Sequence, residues 1–231
     1  MEEITISDLN FFIKYIQANC GLGTVYRGVQ NSSFELIPCI GRLKIKVKVP
    51  QTLLGIVLKL EKNSMRMFKV QSYHFHRIFN IPEIELLALA QHHGLKTRLL
   101  DWTRSALVAL FFAIENEKEK GDAAVYLFNN EEKLGFIDGD MAWKVNPYLT
   151  DKNRFFIPLN STPRVTAQQG LFLLFKDPTK PFTSASLKKM IIPQKIKSKL
   201  KYELAKLGIN KSVIFPDIDG LTSSINWYAF R

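Results

Sequence analysis

Cysteines are few in this sequence, and long apolar runs are missing. The two cysteines, Cys20 and Cys39, have neither the spacing of metal ligands nor the number needed for a disulfide framework. No apolar stretch approaches the roughly 20 residues of a membrane-spanning helix. The first residues, Met-Glu-Glu-Ile, lack the basic start and the apolar core of a signal peptide. These absences favour a cytoplasmic protein with reduced thiols and no membrane partner.

Acidic residues are also scarce, and the formal net charge is +11. Residues 42–77 contain nine Lys or Arg against one acid, Glu61. Residues 188–211 contain eight Lys against one acid, Glu203. Such surfaces attract anionic partners, including nucleic acid. Lys-rich helices are also commonly plain solvated faces, so both interpretations stay open.

The length of 231 residues and the hydrophobic content of 46% predict one globular domain. A domain of this size buries roughly 70–75% of the surface of its unfolded chain, so a substantial core is expected. Residues 106–114 are all apolar, which indicates a helix that is hydrophobic on every face. We expect this helix at the centre of the core.

Polar residues are concentrated just before this apolar helix. Asp101, Thr103 and Ser105 are expected in a turn at its N-terminal end, where backbone N–H groups and the positive end of the helix dipole face outward. One of the three could serve only as the N-cap. A single cap leaves the other polar residues unexplained, so the pattern also favours a site.

The strand pattern of residues 24–29 is interrupted by Arg27. An arginine inside such a strand must reach solvent or pair with an anion. Gly28 follows it and lets another group approach the backbone closely. Residues 30–41 lack periodicity and are expected to form a loop that folds over whatever Arg27 binds.

The remaining patterns predict a mixture of helices and strands, and hence an α+β fold. Helices are expected from Ser7 to near Gly21, over residues 53–79, 82–94 and 194–207, and from residue 216 onward; strands over residues 123–128, 171–175, 190–192 and 213–215; and irregular structure over residues 129–160. The histidines His74, His76, His92 and His93 have no carboxylate or cysteine at ligand spacing, so no metal is predicted.

Five short motifs follow one another along the chain. They are Tyr26-Arg27-Gly28, Ala90-Gln91-His92-His93-Gly94, Thr97-Arg98 with Leu100-Asp101-Trp102-Thr103, Arg164 with Ala167-Gln168-Gln169-Gly170, and Phe215-Pro216-Asp217-Ile218-Asp219-Gly220. Together they resemble the FRG domain, a bacterial and phage family named after its aromatic-Arg-Gly motif. The resemblance covers residues 20–225. It implies a single FRG-like domain over residues 1–231, with a basic helical segment at residues 42–80, and a toxin or phage-defence context.

A weaker resemblance to ADP-ribosyltransferases of the Arg-Ser-Glu type implies a mechanism. Those enzymes open their catalytic core with an aromatic-Arg-Gly strand, similar to residues 25–28, whose arginine binds the phosphates of NAD. Their second motif, a polar turn followed by an apolar helix and a strand, is similar to residues 100–128. Their third motif carries Glu-x-Glu, but the matching residues 167–170 contain no glutamate. The implied fold is α+β with a small split mixed sheet and flanking helices.

The two resemblances imply a nucleotide-binding cleft, with NAD as the expected cofactor. Arg27 and Arg98 would bind phosphate through the forked donors of the guanidinium. Thr103 and Gln168 would hold ribose, and Asp101 could replace the missing glutamate, whose charge stabilises the oxocarbenium-like state. The residues assigned to catalysis are Asp101, His92 and Gln168, and those assigned to cofactor binding are Arg27, Gly28, Gln91, Arg98, Trp102, Thr103, Arg164 and Gly170.

Two other classes of protein remain open. In a nucleic-acid-binding module the motifs would be structural and the lysines would bind phosphates, with a slope near −5 in a log–log salt plot for about six contacts. The other class is a pure protein-interaction role in phage defence or its regulation.

Overall fold

The computed structural model describes residues 1–44, 52–72, 80–117, 119–129, 134–159 and 162–230. Its strands form one mixed sheet, in agreement with the predicted α+β fold. Among the described residues these strands are β1 (Glu2–Thr5), β2 (Val25–Val29), β3 (Leu99–Thr103), β4 (Ala123–Phe128), β5 (Phe136–Ile137), β6 (Arg154–Phe156), β7 (Gly170–Leu174) and β8 (Leu187–Ile192). Their order in the sheet is β1-β8-β4-β2-β3-β7-β6-β5. The pairs β1 with β8 and β5 with β6 are parallel, and the other pairs are antiparallel.

Helices cover the sheet and form its connections. The described part of the chain contains α1 (Leu9–Asn19), α2 (Leu53–Gln71), α3 (Glu83–His92), α4 (Ala106–Ile114), α5 (Met141–Lys144), α6 (Pro163–Ala167), α7 (Lys197–Lys206), α8 (Lys211–Ile214) and α9 (Ile218–Ala229), with 3-10 turns at Cys39–Arg42 and Gln194–Ile196. None of the described helices has the length and hydropathy needed to cross a membrane.

The two halves of the sheet are joined by very little backbone pairing. Strand β2 pairs with β4 along its whole length, and β3 does the same with β7. Between β2 and β3, however, Tyr26 opposite Thr103 is the single register pair among the described residues. The strands diverge beyond this pair, and a cleft opens between them.

Three groups of buried apolar side chains stabilise the sheet. Helices α1, α4 and α7 pack on the β8, β4 and β2 half around Phe12 and Leu110. Helices α2 and α3 pack on the β3, β7 and β6 half around Leu87 and Leu99. An aromatic-rich cluster around Trp102 joins both halves. The cleft therefore lies between two half-sheets that are packed by different helices and joined by the cluster around Trp102.

Helix α4 is the buried apolar helix that the sequence predicts, and most of its residues are inaccessible to solvent. Ser105 is its N-cap, because the Ser105 hydroxyl accepts a hydrogen bond from the Val108 N–H at 3.3 Å. Asp101 and Thr103 lie in strand β3 instead of the predicted turn. The physical reason is the alternation of Leu100, Asp101 and Trp102, which exposes the aspartate and buries its two neighbours.

Other predicted elements need correction. Residues 213–215 do not form a strand, because the Asn210 side chain caps a short helix, α8, by accepting the backbone N–H groups of Ser212 and Val213. The interval 129–160 contains β5, α5 and β6 instead of only irregular structure. Asp8, instead of Ser7, caps α1. Strand β1 was not predicted, and it is held in the sheet by parallel pairing with β8. Residues 73–79 of the predicted long helix lie outside the described residues.

Gly28 gives a direct test of how tightly β2 packs on α4. A Cβ atom at this position would lie 1.9 Å from the Ala109 carbonyl oxygen and 2.6 Å from the Ala113 nitrogen. Both are backbone atoms, which cannot move aside without shifting the helix. We expect Gly28→Ala to lower the free energy of unfolding by about 1–3 kcal/mol or more, measured by urea denaturation. Gly23→Ala, where nothing lies within 4 Å, is the matched control; equal effects of the two changes would contradict the close packing.

Candidate functional site

The cleft between the two half-sheets has a volume of about 560 Å³. Cavities that bind small molecules and cofactors commonly measure about 300–1,000 Å³, so a nucleotide is within range. Its walls come from β2, the turn at Cys39–Arg42, the end of α3, β3, α6 and the start of β7. The sequence-predicted loop at residues 30–41 does border this cleft, through Gln30, Phe34 and Cys39.

The structure brings ten of the eleven predicted site residues to this one cleft. They are Arg27, Gly28, Gln91, His92, Asp101, Trp102, Thr103, Arg164, Gln168 and Gly170. The exception is Arg98.

Arg27 extends from β2 across the gap to β3. Its Nη1 donates a hydrogen bond to the backbone oxygen of Asp101 and lies 3.7 Å from Asp101 Oδ2. Its Nε is buried and has no hydrogen-bond partner among the described residues. Burial lowers the pKa of the Arg27 guanidinium, and the Asp101 carboxylate opposes this shift. Arginine nevertheless stays protonated in proteins, so the cleft contains a fixed cation with a donor to spare.

Asp101 is held in place by a short chain of hydrogen bonds. The buried Thr97 hydroxyl donates to Gln91 Oε1, which orients the amide so that Gln91 Nε2 donates to Asp101 Oδ1 at 3.0 Å. The Asp101 side chain is 65% exposed. Its second oxygen, Oδ2, therefore faces the open cleft beside Arg27, which suits a group that contacts a ligand.

Cations dominate the cleft walls. Arg27, Arg42, Lys96 and Arg164 face a single carboxylate, that of Asp101. Arg42 Nε donates to the Ile37 carbonyl oxygen at 2.8 Å, and the Arg164 guanidinium lies 4.4 Å from the centre of the Phe215 ring. Arg42 and Lys96 were missed in the sequence, where they look like ordinary members of basic or turn segments. This charge distribution favours an anionic ligand.

His92 lines the cleft at the end of α3. Burial lowers the pKa of His92 below its ordinary value of 6.5, and the nearby Arg164 charge adds to the shift while Asp217 opposes it. This shift in pKa favours the neutral imidazole at pH 7, which is the form that a general base needs.

The His92 shift makes stability depend on pH in a definite direction. Because the pKa is lower in the folded than in the unfolded chain, the unfolded chain binds more protons once the pH falls below about 6.5. We expect the free energy of unfolding to decrease from pH 7 downward until the folded pKa is passed, and His92→Gln to remove that part of the decrease. Urea denaturation at several pH values measures this; identical pH profiles for both proteins would contradict it.

Thr103 and Gln168 do line the cleft, but their polar groups have protein partners. The Thr103 hydroxyl donates to the Gln168 carbonyl oxygen at 2.7 Å and accepts from the Ser105 N–H at 3.0 Å. Gln168 Nε2 donates to the Ile214 carbonyl oxygen at 3.2 Å. These bonds connect β3, α4, α6 and α8, so the geometry gives both residues a structural task rather than the ribose contact expected from the sequence.

Gly28 and Trp102, two further residues predicted to bind the cofactor, have packing roles in the structure. Gly28 allows a close approach, as expected, but the approaching group is helix α4. Trp102 is 3% exposed and makes edge contacts with the Phe128, Phe155 and Phe182 rings. Gly170 stands at the start of β7, where a Cβ atom would have only an ordinary contact at 3.7 Å.

Arg98 does not reach the cleft, so its assignment to phosphate binding needs correction. Its side chain is fully buried, and Glu61 accepts from Arg98 Nε at 2.8 Å and from the Arg98 backbone N–H at 2.7 Å. Nη1 donates to the Pro147 carbonyl oxygen at 3.0 Å, and the guanidinium lies 5.1 Å from the Tyr148 ring centre. The charge is already neutralised by Glu61, the one acid of residues 42–77.

Most of the lysines in residues 188–211 already have partners within the protein. Five of the eight form ion pairs with acidic side chains, and Lys197 donates to the backbone oxygens of Gln30 and Glu119. The five ion pairs are Lys188 with Glu2, Lys189 with Glu3, Lys199 with Glu203, Lys201 with Glu117, and Lys211 with Glu115. No group of three or more potential metal ligands occurs in the described ranges, and His74 and His76 lie outside them.

Comparison with known proteins finds a family model that matches part of the chain. Residues 23–122 match the FRG domain, a stretch that contains β2, α3, β3 and α4 and therefore Arg27, Gln91, His92 and Asp101. The motif around Arg164 and the motif beginning at Phe215 lie beyond the matched residues. No curated protein and no solved structure matches the chain. The motifs in residues 23–122 and the family match thus agree that this part of the chain is similar to the FRG domain.

Proposed function

We propose that the cleft binds a nucleotide that carries a diphosphate, of the NAD or ADP-ribose type. The observation that carries this proposal is the guanidinium of Arg27, whose buried Nε has no hydrogen-bond partner in the described part of the chain. An unpaired buried donor is costly, and a phosphate oxygen would satisfy it with a charge-assisted hydrogen bond. Arginine also offers the fork geometry that phosphate groups accept.

The other cations support the same ligand class. Arg42 and Lys96 lie along the cleft with Arg27, and Arg164 borders it near His92. A diphosphate distributes its charge over two groups, which matches cations spread along a wall better than a single carboxylate would. Aromatic walls from Phe34 and Phe112 offer faces for a base.

We extend the proposal to ADP-ribosyl transfer, with Asp101 as the carboxylate. In that reaction the bond between ribose C1′ and nicotinamide is replaced by a bond to the acceptor, and nicotinamide leaves with the bonding electrons. Asp101 Oδ2 faces the cleft while Gln91 holds Oδ1. The carboxylate would hold a ribose hydroxyl, offset developing positive charge, and take the acceptor's proton before passing it to solvent.

Gln168 is not a substitute for the absent glutamate in this proposal. Its amide nitrogen already donates to the Ile214 carbonyl oxygen, and an amide contributes no negative charge. Asp101 in strand β3 is the one acidic side chain among the described residues that line the cleft. The toxin or phage-defence context, which the family resemblance implies, stays a prediction.

Thermal-shift and denaturation measurements with NAD, ADP-ribose and ATP, and with adenosine as the control, test the binding. A ligand at 100 times its dissociation constant should raise the free energy of unfolding by about 2.7 kcal/mol. We expect stabilisation by NAD or ADP-ribose and none by adenosine, which lacks phosphate. Asp101→Asn is expected to retain binding and to lose nicotinamide release. The absence of stabilisation by every nucleotide would contradict the proposal and favour the alternative nucleic-acid or protein-interaction roles.

A further inference from the structure

Four apolar residues and one asparagine form a regular stripe on helix α2, on the side away from its buried residues. Ile56, Leu60, Asn63, Met67 and Val70 are spaced by four, three, four and three residues. This is the heptad pattern by which one helix packs along another, with Leu60 and Met67 at positions a and the other three at positions d. The stripe, which we call the α2 seam, is about 21 Å long.

Four of the five residues of the α2 seam are exposed, and Ile56 at its start is half-buried. Leu60 is 42% exposed, Met67 56% and Val70 70%. The opposite side of the same helix is the buried one, where Glu61 and Met65 face the core. Leu60, Met67 and Val70 therefore keep much of their apolar surface outside the core, although they have the spacing of a helix interface.

Cations lie beside the seam. Lys59 and Arg66 precede the two a residues, so they occupy g positions, which pair with charges of a partner helix. Lys62 and Lys69 continue the cationic arc on the same flank. None of these four side chains forms an ion pair with the described part of the chain. Glu61, the acid of the helix, is occupied by Arg98.

We propose that the α2 seam binds an amphipathic helix of a partner protein, with apolar residues at its a and d positions and Glu or Asp beside them. Charge complementarity selects this occupant. Asn63 within the seam would set the register by pairing with a polar residue, at some cost in affinity. The proposal concerns a surface separate from the nucleotide cleft and does not depend on it.

A second copy of the chain fits the seam less well. In an antiparallel pair of α2 helices the cations at the g positions would face one another. In a parallel pair they would face Ser64 and Gln71 at the e positions, which offer no acid. A duplex nucleic acid would use the cations but would leave Leu60, Met67 and Val70 exposed. An acidic amphipathic helix is the occupant that would contact both the apolar side chains of the α2 seam and the cations beside it.

Titration with designed helices tests this assignment. The probe is a synthetic helix of three heptads with Leu at a and d, one Asn in the seam, and Glu at e and g. Its controls are the same peptide with Lys in place of Glu, and a scrambled acidic peptide of equal composition. By fluorescence anisotropy we expect the acidic helix to bind at least about tenfold more tightly than either control, with weaker binding as salt is raised.

Two variants of the whole chain give matched tests. Lys59→Glu with Arg66→Glu should reverse the preference, so that the Lys peptide binds more tightly than the Glu peptide. Leu60→Ser with Met67→Ser should weaken the binding of the Glu peptide and of the Lys peptide by at least about tenfold. All four positions are exposed, so folding is expected to persist, and circular dichroism checks this.

Three outcomes would overturn the assignment. Equal binding of the acidic and scrambled peptides would show that charge attraction alone, without the apolar seam, explains the binding. Concentration-dependent dimers in sedimentation, lost in the Leu60→Ser, Met67→Ser variant, would make a second copy the occupant. Duplex binding that needs Lys59 and Arg66 but tolerates the two serine changes would make nucleic acid the occupant.

Discussion

Arg27→Ala is expected to weaken nucleotide binding by about 2–5 kcal/mol, the usual cost of truncating one member of a buried charge pair. Tenfold in affinity corresponds to about 1.4 kcal/mol, so the dissociation constant should rise by at least about 30-fold. The physical reason is that the Arg27 side chain is only 16% exposed and stands where the two half-sheets diverge. Isothermal titration calorimetry with ADP-ribose measures the change.

Two further variants make the Arg27 result specific. Arg27→Lys keeps the charge but loses the fork, so we expect an intermediate affinity. Arg154→Ala removes a partly exposed arginine that lies outside the cleft and pairs with Asp151; it should leave the affinity unchanged. Unchanged binding in Arg27→Ala, with the protein still folded, would exclude Arg27 as the phosphate ligand.

Glu61→Ala is expected to lower the free energy of unfolding by about 3–5 kcal/mol, because it leaves the buried guanidinium of Arg98 without a counter-charge. Glu61 and Arg98 are both fully buried, with Arg98 Nη2 2.7 Å from Glu61 Oε2. The pair connects α2 to the start of β3, two residues from Leu100 and three from Asp101. Urea denaturation monitored by tryptophan fluorescence gives the value.

The double change Glu61→Leu, Arg98→Met is the control for this pair. It removes both charges and keeps apolar volume, so we expect it to be more stable than Glu61→Ala alone. A double variant whose loss of stability equals the sum of the losses in Glu61→Leu and in Arg98→Met would show that the two side chains act independently. A small effect of Glu61→Ala would mean that water or other groups stabilise the positive charge of Arg98 when Glu61 is absent.

Local patterns in the sequence are sufficient to predict several elements of this fold. Helix α4 was predictable because nine adjacent apolar residues can be satisfied only inside a core. Arg27 was predictable as a special residue because a charged side chain in a buried strand needs a partner. The gathering of ten predicted residues at one cleft follows from the resemblance to a family, whose motifs record three-dimensional neighbours.

Long-range pairing explains what the sequence could not predict. Arg98 looked like a ligand-binding residue because its partner, Glu61, lies 37 positions earlier and on a different helix. Thr103 and Gln168 looked free because their bonds to Gln168 and Ile214 backbone oxygens depend on how α6 and α8 dock. Strand β1 could not be predicted from four polar-rich residues, since it exists through its pairing with β8.

The most direct test of the nucleotide cleft observes the Arg27 side chain itself. In a ¹⁵N-labelled protein, the Nε–H resonance of Arg27, assigned by its disappearance in Arg27→Lys, can be followed while ADP-ribose is added. We expect that resonance to shift and to exchange more slowly with water, because the buried Nε–H gains a phosphate acceptor. A resonance that stays unchanged at ADP-ribose concentrations that saturate the protein, or the absence of any binding, would contradict the account.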